Sequence, residues 1–348
     1  MEWRESIRTI AGASQGMVPG YSSVVFLYLQ KMDFGRIDHI EAIDFSLPPD
    51  DSITNGLWQQ LQAGPLPAQA IQLYVGGTGW GQKNWIGKVY PKGTKDKDFL
   101  AHYVRQFNGI ELNTLFYGLQ PREVISRWAS LAGPGFRFCP KFSNTISHQR
   151  QLQQTRQETD LFLDHMQSFG DRLGYSFLQL SDRFAPNRAQ LLQAYVRDLP
   201  RDFRTCVELR HEDWFAPPHR HAGESASTAV ADTWQSFRES GIGTVITDTP
   251  GRRDCLHMRL TAPVAFIRFV GNNGHPTDFP RIDAWADRIR TWIDKGLREI
   301  YFFVHCPEEL NTPELCRYAV EQFNSKCGTA LIPPKLFNEG PGTNLSLF

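Results

Sequence analysis

The stretch Thr205-Cys-Val-Glu-Leu-Arg-His-Glu-Asp-Trp214 puts an acid, a fixed cation and a near-neutral base within four positions. Its first residues alternate in the manner of a strand, and polar groups begin where that strand ends. Glu208 and Arg210, at i and i+2, share one face. They can serve proton transfer or simply fill a barrel interior as an ion pair. Two further stretches place polar groups at strand ends. Glu111 and Asn113 close Gly109–Phe116, and Lys141 closes Phe136–Phe142. Gln179, Asp248, Arg268 and His305 occupy the same position in later apolar runs.

These residues suit acid–base work on a small anionic substrate. Two facing carboxylates, Glu208 and Glu111, can be driven to different pKa values and divide acid from base. Lys141, Arg210 and Arg268 form a cationic clamp for a carboxylate or phosphate, and Asn113 and Gln179 orient it. His211 joins the catalytic set. His148, in Ile146-Ser-His-Gln-Arg150, lies where a loop after the third strand reaches the same mouth. Trp80, Tyr117 and Trp214 can wall a pocket, although aromatics there also serve as ordinary core. A metal reading would use Glu208, His211, Asp248 and His305, but no dense ligand spacing such as H-x-H supports it. The expected site therefore holds no metal and no cofactor. Gly76-Gly-Thr-Gly-Trp80 lacks the spacing of a nucleotide fingerprint.

The elements that must position these groups recur in type along the chain. Strand-like runs at Ile71–Val75, Gly109–Phe116, Phe136–Phe142, Tyr175–Leu180, Thr205–His211, Gly243–Thr247, Val264–Val270 and Glu299–His305 alternate with helical segments. The segments are Asp96–Phe107, one opening at Pro121, Arg156–Phe169, Asn187–Leu199, Ala226–Ser240, Ile282–Lys295 and Pro313–Asn324. Eight such units over about 255 residues predict an α/β fold of the TIM-type (βα)8 class, with an open doubly wound sheet as the alternative. Between Asp248 and Val264, Pro250-Gly251 and Pro263 leave no room for a crossover helix, so the sixth unit is expected to be irregular.

Four divisions follow. Residues 1–31 form a poorly ordered extension and 32–70 an arm packing on the barrel. Residues 71–327 form the barrel and 328–348 a tail. Met32 opens the more structured style of sequence and is an alternative start.

Composition sets the class. The 348 residues are 41% hydrophobic, enough for a large core, and 37 basic residues balance 37 acidic ones. Residues 201–300 hold 14 of each, so no basic block marks a nucleic-acid-binding module, although an enzyme acting on nucleic acid needs none. Six cysteines without C-x-x-C spacing fit a reducing cytoplasm. No apolar run is long enough to span a membrane, and the N-terminus carries no signal pattern.

The residues also resemble a known family, the DUF72 or YecE-like proteins. The resemblance rests on Gly76-Gly-Thr-Gly-Trp80 with Trp85 and Tyr90-Pro91, then Phe107-Asn-Gly-Ile-Glu-Leu-Asn113 with Phe116-Tyr117. It continues through Phe136-Arg-Phe-Cys-Pro-Lys141, Ile146-Ser-His148, Leu178-Gln-Leu180, Val207-Glu-Leu-Arg-His211 with Trp214, Arg268-Phe-Val-Gly271 and Trp285. It implies a barrel over about 71–325 and supplies no activity. The arm at 33–70 resembles an extension found in one branch of that family. Val304-His305-Cys-Pro307 stands where many relatives have Asn-Asn after the last strand. Three functions compete: acid–base catalysis on a small anion, a metal-dependent phosphodiesterase or nuclease, and a non-catalytic ligand-binding or scaffold barrel.

Overall fold

The computed structural model describes residues 37, 39–63, 70–216 and 224–337. The expected extension at 1–31, the alternative start at Met32 and the end of the tail lie outside these residues.

Parallel strands β1 (Gln72–Gly76), β8 (Glu299–His305), β7 (Val264–Val270), β6 (Gly243–Asp248), β5 (Thr205–Glu208) and β4 (Ser176–Gln179) form one ladder in that spatial order. Strands β2 (Gly109–Leu112) and β3 (Arg137–Pro140) form a second parallel pair. Backbone bonds join the two sets at both seams. Glu111 N–H donates to the Gly77 carbonyl across β1–β2, at 3.1 Å. Phe142 N–H donates to Phe177 and Gly174 N–H to Phe138 across β3–β4, at 3.0 and 2.8 Å. The Asn108 side chain adds two bonds to β1, accepting from Val75 N–H and donating to the Leu73 carbonyl. These links complete the (βα)8 barrel and set aside the open sheet. Glycine is required at the first seam, because a Cβ on Gly76 would meet the Gly109 carbonyl oxygen at 1.9 Å.

Strand period then sorts the side chains into two cores. One parity, including Leu112, Phe138, Leu178, Val207, Ile246, Ile267 and Phe302, packs outward under the helices. The other fills the barrel with Tyr74, Cys139, Phe177, Cys206, Val245, Phe266, Tyr301 and Phe303. One step further toward the strand C-termini, the inward parity gives Glu111, Lys141, Gln179, Glu208, Thr247, Arg268 and His305. The polar inventory is therefore the top layer of the barrel interior.

Helices α2 (Phe99–Gln106), α4 (Arg122–Leu131), α5 (Arg156–Met166), α6 (Ala189–Asp198), α7 (Glu224–Ser240), α8 (Asp278–Asp294) and α9 (Thr312–Cys327) form the outer layer. Between β2 and α4 a one-turn helix, α3 (Thr114–Tyr117), covers part of the mouth. The sixth unit is irregular as expected, with 3-10 turns over Pro250–Cys255 in place of a long helix.

The arm holds a helix not anticipated from its prolines and glycines, α1 (Ser52–Gln62), capped by the Asp51 carboxylate on Thr54 N–H. Asp50 anchors it by accepting from Trp58, Trp292, Arg288 and Lys295. Among the described residues no helix is long and apolar enough to cross a membrane.

Candidate functional site

Arg268 of β7 organises the mouth. Its Nε and Nη2 hold the two oxygens of Glu111 at 2.8 and 2.9 Å. Its Nη1 reaches both oxygens of Glu208, at 3.0 and 2.8 Å. Glu208 also accepts from Arg210 Nε at 2.6 Å, Thr247 Oγ1 at 3.0 Å and Gln179 Nε2 at 2.8 Å. Glu111 accepts from Asn113 Nδ2 and pairs with His305 Nε2, each at 2.9 Å. Gln179 completes the chain by accepting from Lys141 Nζ at 2.7 Å. The amine of Lys141 lies 4.1 Å from the centre of the Phe116 ring.

Burial and charge shift the proton affinities of these groups. Burial alone would raise both glutamates, since a charged group is disfavoured away from water. Arg268 and His305 nevertheless hold Glu111 well below the usual carboxylate range. Arg210 and Arg268 hold Glu208 down at about 2. Lys141 moves the other way. Burial, with the guanidinium groups of Arg268 and Arg210 nearby, pushes its amine well below the normal lysine value.

Two expectations change as a result. Glu111 and Glu208 do not split into an acid and a base, because the same arginine keeps both ionised. Nor is Arg268 an open fork for a substrate anion, since all three of its guanidinium nitrogens already bind these glutamates.

The structure gathers Glu111, Asn113, Lys141, Gln179, Glu208, Arg210 and Arg268 into one network. His148 stands at its edge, its ring against Phe116 at 5.1 Å and its Nδ1 2.8 Å from Ser147 Oγ. It sits on a π-helical turn, Thr145–Gln149. Tyr117 packs edge-on against Phe116 and is about half exposed. Trp80 is partly buried, edge-on to Trp128.

Two residues expected at the site, Asp248 and Trp214, lie elsewhere, and His211 bonds its own turn rather than the network. Asp248 follows Ile246 in the outward parity. Its carboxylate is buried between the barrel and α8, bound by Arg253, Arg281 and Trp285. Trp214 is fully buried and donates to the Phe184 carbonyl at 2.7 Å, which makes it core. His211 caps the short turn that follows it, its Nδ1 accepting from Asp213 N–H at 3.2 Å. The four donors considered for a metal are thus not gathered. Among the described residues no group of three or more His, Cys, Asp or Glu is placed to hold an ion.

Sequence reasoning missed two groups, Thr247 and Glu309, and placed Phe116 only among the aromatics that can wall a pocket. Thr247 is the inward neighbour of Asp248, and strand parity with Val245 identifies it. Phe116 is the ring on which Lys141 rests. Glu309, in the loop after β8, binds Thr78 and Thr312 at 2.9 and 2.7 Å with its backbone at φ 54°. Burial pushes its carboxyl up. Nothing in the local sequence marks it except its place beyond a strand end.

The fold is shared with known structures. A DUF72 family protein from Enterococcus faecalis superposes with a TM-score of 0.55 at 18% identity, over 76% of this chain and 98% of that one. One from Thermotoga maritima gives 0.55 at 20%, over 74% and 100%. In sequence, UPF0759 protein YecE of Escherichia coli K12 is 29% identical over 261 residues, covering 70% of this chain and 89% of the relative. UPF0759 protein YunF of Bacillus subtilis is 26% identical over 171 residues, covering 47% and 58%. The family model described as a protein of unknown function, DUF72, matches residues 74–336, and the chain belongs to that family.

Proposed function

We propose that the barrel mouth is the active site of an enzyme that moves protons on a small substrate bearing a carboxylate or phosphate. The observation that carries this reading is Lys141. It is 7% exposed, and its amine bonds an amide oxygen and rests on a phenyl ring. Among the described residues no carboxylate pairs with it, although buried cations are normally paired. A substrate anion beside Lys141 would provide a partner for a cation formed there.

The proton-transfer groups are His305 and Glu309. His305 Nε2 lies 2.9 Å from the Glu111 carboxylate, which orients the ring at the mouth. Glu309, in the loop after the same strand, accepts from the hydroxyls of Thr78 and Thr312, and burial pushes its carboxyl up. Glu111 and Glu208 hold the arrangement in place. The six cysteines are all free and buried, which supports the expected cytoplasmic setting.

The test is thermal unfolding of the full chain titrated with lactate, acetate and inorganic phosphate. Saturable stabilisation is expected, about 3 kcal/mol at a ~100-fold excess over Kd, and it should vanish in Lys141→Met. Equal stabilisation of wild type and variant, or none in either, would sink the reading.

A further inference from the structure

We infer that Lys141 is a Schiff-base lysine, forming an imine with a small carbonyl substrate that carries one anionic group, such as a 2-oxo acid. The inference deepens the proposed function and takes the location of the site from it.

The geometry is that of a held nucleophile. Lys141 follows β3 directly and points inward at the C-terminal layer of the barrel, tethered through Gln179 Oε1. Gln179 is itself fixed, because its amide nitrogen donates to Glu208. That bond leaves only the oxygen turned to the amine, and Phe116 supports the amine at 4.1 Å. An amine held by a neutral acceptor, and faced by two guanidinium groups, favours the uncharged and nucleophilic form. The downward push on its proton affinity agrees.

Charge balance points to the substrate class. Setting His305 aside, Glu111 and Glu208 offset Arg210 and Arg268, so a neutral Lys141 leaves the buried network without net charge. An iminium adds one positive charge. A single anionic group on the substrate restores balance, whereas an uncharged ketone would leave an uncompensated buried cation.

Besides the substrate the step takes only one proton, from solvent. The lone pair of Nζ attacks the carbonyl carbon, and the π pair moves to oxygen. One nitrogen proton passes to that oxygen, giving a carbinolamine. The hydroxyl then takes up one proton and leaves as water, and the nitrogen keeps its remaining proton in a C=N⁺ bond. One proton is consumed and one water is released. The iminium acidifies the neighbouring C–H.

The experiment treats the full chain with pyruvate or glyoxylate and sodium cyanoborohydride at neutral pH, followed by intact mass and peptide mapping. One reduced adduct on Lys141 is expected, with a preference of ~10-fold or more over any surface lysine, whose amine stays protonated at that pH. The adduct should be absent in Lys141→Arg. Acetone, which has no carboxylate, should label Lys141 about tenfold less, in keeping with the cost of an uncompensated buried charge. Lactate, which has no carbonyl, should slow labelling by pyruvate. Labelling of surface lysines with Lys141 untouched overturns the inference. If lactate and pyruvate then stabilise the fold equally through Lys141, the anion site survives and the imine falls. If Lys141 reacts with acetone as fast as with pyruvate, the imine stands and the anionic class falls.

Discussion

The two ends of the barrel interior each carry arginine and glutamate, yet they are built to different rules. At the N-terminal end Arg204 pairs with Glu299 at 2.8 Å, with 39% and 19% of those side chains exposed. Arg204 also stacks on Tyr175 at 5.0 Å, and Arg137 on Tyr74 at 5.3 Å. Cations there meet rings and water, and a tyrosine layer seals the interior above them. At the mouth Glu111 and Glu208 are 0% and 1% exposed, Arg268 bridges them, and Lys141 has no acidic partner among the described residues. A barrel needs to close its N-terminal end, and a partly solvated pair does that cheaply. The mouth retains a far more demanding network that ends on a buried amine held by a neutral amide, a condition that stability alone does not require.

Removing Arg268 should therefore produce the largest effect. Arg268→Leu leaves two buried carboxylates facing one another, and the expected loss is about 3–5 kcal/mol, read as a fall in the chemical unfolding midpoint. The double variant Arg268→Leu with Glu111→Gln should recover part of it, since one of the stranded charges is gone. Failure of that recovery would break the picture of mutual dependence.

The next effect is one of pH. The folded pKa of Glu208, about 2, lies below its ordinary 4.5. Between the two the unfolded chain binds more protons, so stability rises with pH there. The contribution is complete above about 4.5 and disappears as pH falls toward about 2, amounting to roughly 3 kcal/mol. Glu208→Gln should flatten acid unfolding across that window. An unchanged profile would mean that the mouth is as solvated as the opposite end.

How much of this was legible follows from period. The alternation of two in Thr205–Glu208 and Val264–Val270, together with polar groups at the strand ends, identifies Glu111, Lys141, Gln179, Glu208 and Arg268 as one layer. Those residues repeat a rule that every strand obeys. Asp248 was misassigned because the end of a strand was counted without its parity. Ile246 faces the helices, so Asp248 does too, and Thr247 faces in. The states of the two glutamates were not legible, because they depend on an arginine 60 residues beyond Glu208 arriving between them. Glu309 depends likewise on where a loop folds back. Helix α1 was hidden by flanking prolines and glycines, and its hold on the barrel through Asp50 is a matter of distant tryptophans and basic residues.

The smallest predicted effect is the sharpest test of the contrast. Arg204→Leu removes the guanidinium from Glu299, but Glu299 keeps the Tyr301 hydroxyl at 2.6 Å and a fifth of its side chain meets solvent. Water can replace the lost partner, and leucine retains contact with Tyr175, so a loss of only about 1 kcal/mol is expected. The same urea titration that reads Arg268→Leu reads this variant. Comparable losses would mean that both ends are load-carrying ion networks, and the unpaired lysine at the mouth would lose its claim to a reason beyond folding. A severalfold difference assigns the expense of the mouth to what it binds.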